Sequence, residues 1–242
     1  MLDDFPKAGQ VYADDGFVLL RGAVAAGALD ALEQRFLGLV ETLGGRRFQS
    51  SNQPELAAWL AGEREVERGL YAGIRDYPWL AELSSHASIT APVKQLLGSD
   101  IGFFEKIPFR IDLPMVVREL AVWHQDHFYV KGNTNIVTAW IPLQDTTYDL
   151  GCLMVMPGSH KLGAVAHDKP LLGKKFIPSD PGIYQRAVRY VEMKRRDLLL
   201  FNALLLHSSG NNISDRLRLS VQTRFSRVSE PGDPGMGALM RV

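Results

Sequence analysis

The chain has 242 residues, and 46% of them are hydrophobic, which is enough to bury the core of one large domain. Its 27 basic and 27 acidic residues cancel, which argues against nucleic acid or an anionic membrane surface as the main partner. A single cysteine, Cys152, excludes an intrachain disulfide, and the sequence has neither a secretory signal pattern nor an apolar run of membrane-spanning length. These features predict a cytoplasmic protein, and none of them predicts an oligomeric state.

Helical spacing of apolar residues dominates the first hundred residues. Over 29–43 the apolar residues recur every three or four positions, which predicts an amphipathic helix. Asn52, two residues before Pro54, predicts the capped start of a second helix whose apolar stripe belongs to the core. A third, short helix is predicted to open at Thr90 and to end at Gly98.

Residues that favour β-strands dominate from Ile101 onward, with turn signals at 131–133, 157–158 and 210–212. The segments 122–128 and 198–206 are each predicted to be a strand. The stretch from about 230 to 242 is rich in turn residues, and we expect a flexible tail there. The sequence therefore predicts one domain over 1–242 that is mainly β with flanking helices.

Three residues in the β-rich half can supply a metal site. On a strand, residues two apart point to the same face, so His124 and Asp126 can reach one ion while Gln125 points away. His207 follows the second apolar strand. Two imidazoles and one carboxylate are the ligand set of a non-haem Fe(II) site with open coordination positions. With six histidines in the chain, a chance His-x-Asp is the alternative interpretation.

The strand after the second apolar strand has one polar and one apolar face. Alternate side chains share a face, and the polar face holds Arg216, Arg218, Ser220, Gln222 and Arg224. Such a strand fits a barrel wall whose polar side lines a ligand cavity. The guanidinium of Arg218 is a planar fork that matches a carboxylate of a dicarboxylate co-substrate. A solvated arginine face is the alternative for Arg224.

Four stretches carry motifs that occur together in one family. They are 12–22, an N-terminal strand; 123–126, Trp-His-Gln-Asp; 151–161, which contains Pro-Gly-Ser-His; and 196–212, around the distal histidine. In order and combination they resemble the phytanoyl-CoA dioxygenase family of Fe(II)/2-oxoglutarate oxygenases. The resemblance implies a double-stranded β-helix, which is a jelly-roll or cupin-like barrel, with the N-terminal helices packed on one sheet.

The resemblance also implies the parts of the site. The metal is Fe(II), with 2-oxoglutarate and O2 as co-substrates, and its ligands are His124, Asp126 and His207. The residues that bind the co-substrate are Arg218, Ser209, Trp140 and Lys106. Among these, Arg218 is expected to grip the distal carboxylate of 2-oxoglutarate, and Lys106 lies in a segment that differs from the family's.

Asp126 decides the reaction type that the resemblance implies. Related halogenases have Gly or Ala at this position, which frees a metal position for halide. With Asp126 present, we predict hydroxylation of an unactivated C–H bond of a small-molecule metabolite, with release of succinate and CO2. The alternatives are a zinc-dependent hydrolase that uses the same cluster and a barrel that binds a small ligand without turnover.

The remaining histidines have weaker sequence context. Strand parity turns His127 away from the metal face, and His160 lies in the Pro-Gly-Ser-His turn, so we assign both to structural roles. His86 and His167 have no context that distinguishes them from surface histidines.

Overall fold

The computed structural model describes residues 5–76, 78–116, 122–168, 177–230, 232–233, 235 and 237–242. The helices are α1 (Phe5–Asp15), α2 (Ala26–Gly44), α3 (Pro54–Gly62), α4 (Arg64–Asp76), α5 (Trp79–Ser85), α6 (Ala87–Leu97) and α7 (Asp126–Val130), with short 3-10 helices at Ser159–Leu162 and Pro181–Gln185. The strands are β1 (Phe17–Leu20), β2 (Ile101–Phe104), β3 (Phe109–Asp112), β4 (Val137–Pro142), β5 (Leu153–Val155), β6 (His167–Asp168), β7 (Ile177–Pro178), β8 (Arg189–Val191), β9 (Leu198–Asn202), β10 (His207–Ser209), β11 (Arg218–Arg227) and β12 (Leu239–Arg241). None of the described helices is both long and apolar enough to cross a membrane.

Two antiparallel sheets and a layer of helices form the fold. The large sheet has the order β1-β9-β4-β11-β2-β12, and β3 pairs with the first residues of β11. The small sheet has the order β10-β5-β8, and β6 and β7 form a separate pair. The prediction of a mainly β fold of the cupin-like kind, with the N-terminal helices on one sheet, is confirmed.

Alternate residues of the large sheet face two different cores. In β9, Leu199 and Phe201 pack with Trp140 and with Leu153 of the small sheet, so this face encloses the space between the sheets. Their neighbours, among them Leu200, pack on the other face against the helices. Burying one such Leu or Phe side chain stabilises the fold by roughly 1.5–3 kcal/mol. The face of the sheet on which each of these side chains lies is therefore strongly fixed.

The predicted helices form, with shifted starts for two of them. The helix predicted over 29–43 lies within α2, which ends where Gly45 adopts the left-handed conformation with φ 65°. The cap predicted at Asn52 is wrong, because Gln53 is the residue before α3. The helix predicted from Thr90 begins earlier, at Ala87, because the ring of His86 accepts a hydrogen bond from the Ser88 N–H.

The C-terminal stretch ends in a strand, so the prediction of a flexible tail is wrong for its last residues. Leu239–Arg241 forms β12 and pairs with β2. Gly102 permits this close approach, since a Cβ there would lie 2.7 Å from the Met240 carbonyl oxygen.

Candidate metal centre

The three predicted metal ligands lie together between the sheets. The ligand atoms of His124, Asp126 and His207 all lie within 4.8 Å of one another. His124 and His207 form an antiparallel bridge in which each N–H donates to the other's carbonyl at 3.0 Å. Their ring centroids are 4.3 Å apart, so the backbone pairing itself brings the two imidazoles together.

The local structure that presents these ligands differs from the prediction. The strand predicted over 122–128 is wrong beyond Gln125, because Asp126 is the first residue of α7. The strand predicted over 198–206 is also too long, since β9 ends at Asn202 and His207 begins β10 in the other sheet. The Asn202 side chain accepts a hydrogen bond from the Leu204 N–H at 2.8 Å, which stabilises the turn between the sheets.

Backbone carbonyls fix the tautomer of both imidazoles. Nδ1 of His124 lies 2.8 Å from the Val122 carbonyl oxygen, and Nδ1 of His207 lies 3.0 Å from that of Leu205. A carbonyl oxygen only accepts, so Nδ1 carries the proton and Nε2 keeps the lone pair that a metal needs. Burial, together with the neighbouring His207, lowers the pKa of His124 to about 3, and burial also lowers the pKa of His207. Both rings are therefore neutral ligands at neutral pH.

Asp126 is ionised in the interior because two neighbours bind its oxygens. Burial, the largest single influence, would raise the pKa of Asp126, but the Arg224 guanidinium and the other neighbouring groups together outweigh it and hold that pKa well below its usual range. Arg224 donates from Nη2 to Oδ1 at 2.8 Å and from Nε to Oδ2 at 3.1 Å. Thr138 donates to Oδ2 at 2.7 Å. Thr138 and Arg224 are cross-strand partners on β4 and β11, so their side chains lie on one face.

Arg224 is thus a residue of the site, and the solvated alternative for it is wrong. Its side chain is 11% exposed. Strand parity correctly grouped it with the polar face of β11, while the apolar partners Leu219 and Val221 lie in the core against the helices. The sequence alone does not show that β11 pairs with β4, because this pairing joins segments far apart in sequence.

A cavity of about 250 Å³ lies next to His124, Asp126 and His207, which together are called the triad below. Among its lining residues are Trp140 and Ser209, two of the residues that the family resemblance assigns to the co-substrate. Arg110, Gln222 and Arg224 add polar groups to the same wall. The cavity therefore combines three potential metal ligands with two guanidinium groups.

Arg218 is buried in the wall beside this cavity. Its Nε and Nη2 donate to one Asp112 oxygen at 3.1 Å and 2.8 Å, and Nη1 donates to the carbonyls of Gly151 and Gly210. The two glycines approach closely, since a Cβ on Gly151 would lie 2.6 Å from the Gly210 carbonyl oxygen. All three guanidinium nitrogens of Arg218 thus have protein acceptors, and only 2% of the residue is exposed.

Arg110, which the sequence did not single out, lies between Arg218 and the triad. It lines the cavity at the triad and also a hollow of about 10 Å³ that Ser209 and Arg218 share. Its Nη2 donates to the second Asp112 oxygen at 2.9 Å, the one hydrogen bond of this guanidinium within the described part of the chain. The short Arg-x-Asp pattern in β3 is the signal that could have identified it.

Lys106 lies away from the triad, so the structure does not support the predicted co-substrate contact. Its Nζ donates to the Gly235 carbonyl at 2.7 Å, and its side chain lines a different cavity. The chain from Lys106 enters β3 at Phe109, and the residue of this stretch that lines the cavity beside the triad with its side-chain charge is Arg110.

The other histidines support the loops around the centre. Nε2 of His160 lies 3.1 Å from the Ala13 carbonyl oxygen, which agrees with the predicted role in the turn. The prediction of a surface position is wrong for His167, which is buried and stacks on Phe128 with ring centroids 4.6 Å apart. Its Nε2 accepts from the Gln125 N–H at 3.4 Å and thereby supports the segment that carries two ligands.

Comparison of sequences decides the family. The family model described as Phytanoyl-CoA dioxygenase (PhyH) matches residues 12–220, which is most of the chain. The chain belongs to the phytanoyl-CoA dioxygenase family. The match includes all three ligands and Arg218, so the resemblance inferred from the four motifs is confirmed.

The names of two similar proteins give different substrates. The 1-deoxypentalenic acid 11-beta-hydroxylase of Streptomyces exfoliatus is 28% identical over 244 residues, which cover 95% of this chain and 83% of that protein. Human peroxisomal phytanoyl-CoA dioxygenase is 30% identical over 109 residues, which cover 43% of this chain and 32% of that protein.

Solved structures of the same fold include two enzymes with bound co-substrate. The epimerase SnoN, in complex with Fe3+, alpha ketoglutarate and nogalamycin RO, has a TM-score of 0.67 at 22% identity and covers 98% of this chain and 89% of that one. EctD from S. alaskensis, with 2-oxoglutarate and 5-hydroxyectoine, has a TM-score of 0.66 at 16% identity and covers 94% and 77%. At these identities the likeness establishes the fold.

Proposed function

We propose that this chain is an Fe(II)- and 2-oxoglutarate-dependent dioxygenase that hydroxylates an unactivated C–H bond of a small metabolite. The observation that carries the proposal is the buried cluster of His124, Asp126 and His207, with both Nε2 atoms free to bind a metal. Membership of the phytanoyl-CoA dioxygenase family and the fold shared with SnoN and EctD support iron in this cluster.

The donor set fits Fe(II) with open coordination positions. Two neutral imidazoles and one carboxylate leave room on the metal for co-substrates. When bound, the iron supplies the activation of O2 that couples decarboxylation of 2-oxoglutarate to oxidation of the substrate. The chain's own part is to orient the ligands. The backbone bridge fixes the two histidines, and Thr138 and Arg224 hold Asp126.

We assign the distal carboxylate of 2-oxoglutarate to the end of the cavity at Arg110 and Ser209. Arg110 and Arg218 share the single carboxylate of Asp112, which leaves this trio with one uncompensated positive charge. Arg110 and Ser209 line the cavity, whereas Arg218 is covered. We therefore propose that Arg110 and Ser209 contact the carboxylate and that Arg218 positions Asp112 and Arg110. Trp140 provides an apolar wall beside the co-substrate.

The size of the cavity supports a small free metabolite over an acyl-CoA thioester. Its volume of about 250 Å³ lies below the ~300–1,000 Å³ usual for pockets of drug-sized ligands, and it must also hold 2-oxoglutarate. A relative covering most of the chain is named as a hydroxylase of 1-deoxypentalenic acid, a free acid.

Substrate-stimulated succinate formation tests this function. We expect a metabolite extract to increase succinate release from 2-oxoglutarate when Fe(II) and O2 are present, and the modified metabolite to gain an oxygen atom from isotopically labelled O2. In chloride buffer no chlorinated product should form, because the carboxylate of Asp126 fills the position that a halide needs. Chlorinated product would contradict hydroxylation, and zinc-supported hydrolysis without succinate would favour the hydrolase alternative.

A further inference from the structure

The charges around the cavity do not balance in the described part of the chain. Its lining includes Arg110 and Arg224 on the positive side and Asp126 on the negative side. Asp112 and Arg218 lie directly behind Arg110 and form an ion pair. Three guanidinium groups therefore face two carboxylates, and one positive charge remains, since the metal-binding histidines are neutral as ligands.

Filling the site as the proposed function requires leaves the net charge unchanged, but the distal carboxylate neutralises the group of Arg110, Arg218 and Asp112, so the excess moves to the metal and the Arg224–Asp126 pair. Fe(II) brings two positive charges, and 2-oxoglutarate brings two negative charges, so the pair adds nothing to the balance. An uncompensated charge in a buried cavity is costly, and an anionic ligand that pairs with it is correspondingly favoured. Counted over the described residues, the loaded site is therefore complementary to a ligand with a single negative charge.

The position of Arg224 indicates which guanidinium is available to that ligand. Arg110 lies opposite Ser220 on β11, four residues before Arg224, which is roughly 13 Å along the strand. The distal carboxylate of 2-oxoglutarate, placed at Arg110, therefore lies at a different position along the strand from Arg224. Nη1 of Arg224 makes no hydrogen bond to any residue in the described ranges, whereas Nε and Nη2 bind Asp126.

We propose that the substrate is a monocarboxylate and that Arg224 binds its carboxylate. This inference rests on the proposed function and names the substrate class for the same cavity. Arg224 contacts Asp126, one of the proposed metal ligands, so a carboxylate on Arg224 would anchor the substrate beside the metal-binding cluster. Gln222, two residues away on the same strand face, lines the same wall and can donate a second hydrogen bond.

A pair of probes with the same shape but different charge tests the proposal. The wild-type protein, loaded anaerobically with Fe(II) and 2-oxoglutarate, is titrated with cyclohexanecarboxylate and separately with cyclohexanecarboxamide, and binding is followed by the change in the visible charge-transfer band. We expect the acid to bind about tenfold or more tightly than the amide, as a charge-assisted contact predicts. Arg224→Gln should reduce this preference to about twofold or less, and Arg224→Lys should retain part of it.

Arg216→Gln is the matched control, because Arg216 precedes β11 and its guanidinium makes loose ion pairs with Asp149 and Asp215, its only ion pairs within the described part of the chain. It should keep the preference of the wild-type protein. Equal affinity for acid and amide in the wild type, including no binding of either, would overturn the proposal, as would a preference that survives in Arg224→Gln. If the Arg224→Gln protein gives no charge-transfer band, the preference for acid over amide is compared between the wild type and Arg224→Lys instead. Absence of the band in the wild type would instead overturn the proposed function itself.

Discussion

His207→Ala is expected to abolish both iron binding and succinate formation. The substitution removes one of three ligands from a cluster in which the other two have fixed orientations. Loss of an outer-sphere partner alone typically costs about 10–100-fold in metal affinity, so loss of a ligand should cost more. The measurement is an anaerobic titration with Fe(II) and 2-oxoglutarate, followed in the visible spectrum, together with an assay of succinate.

His86→Ala serves as the control for the loss of an imidazole. His86 caps α6, outside the centre, and its removal should cost about 0.5–2 kcal/mol of stability while iron binding stays intact. If His207→Ala retained full iron binding, the assignment of the triad would be wrong.

Arg110→Gln is expected to raise the KM for 2-oxoglutarate about a hundredfold, because a lost contact to a charged carboxylate costs a few kcal/mol. Iron binding and the unfolding temperature should change little, since Arg110 lines the cavity and makes one hydrogen bond within the described part of the chain. Steady-state kinetics and thermal unfolding measure the two effects separately.

Arg218→Lys is expected to raise the KM for 2-oxoglutarate and also to lower the unfolding temperature. Lysine cannot reproduce a fork that binds Asp112 and two backbone carbonyls, so the unfolding temperature should fall together with the affinity for 2-oxoglutarate. A sharp rise in KM for Arg218→Lys at an unchanged unfolding temperature, with Arg110→Gln close to wild type, would show instead that Arg218 grips the carboxylate directly.

The metal ligands could be predicted from the sequence because their residue types define the chemistry. His124, Asp126 and His207 were identified without knowledge of the backbone, although the predicted strand across Asp126 was wrong. The error arose because aromatic and β-favouring residues surround a five-residue helix that is stabilised by its tertiary contacts, such as the bond from the His127 N–H to the Ala203 carbonyl. Such contacts override local propensity.

The charged partners of the site could not be predicted because they depend on strand register. Arg224 meets Asp126 only because β11 pairs with β4 at Thr138, and Arg110 shares Asp112 with Arg218 only because β3 pairs with β11. Parity within one strand groups side chains by face, but it does not show which strand lies alongside.

The anaerobic visible spectrum of the wild-type protein tests the central claim most directly. Addition of 2-oxoglutarate to the Fe(II)-loaded protein should produce a weak charge-transfer band, and admission of O2 should remove the band as succinate forms. Zinc in place of iron should give neither the band nor succinate. If the Fe(II)-loaded protein gave no band with 2-oxoglutarate and formed no succinate with O2, the assignment as an iron- and 2-oxoglutarate-dependent dioxygenase would be contradicted.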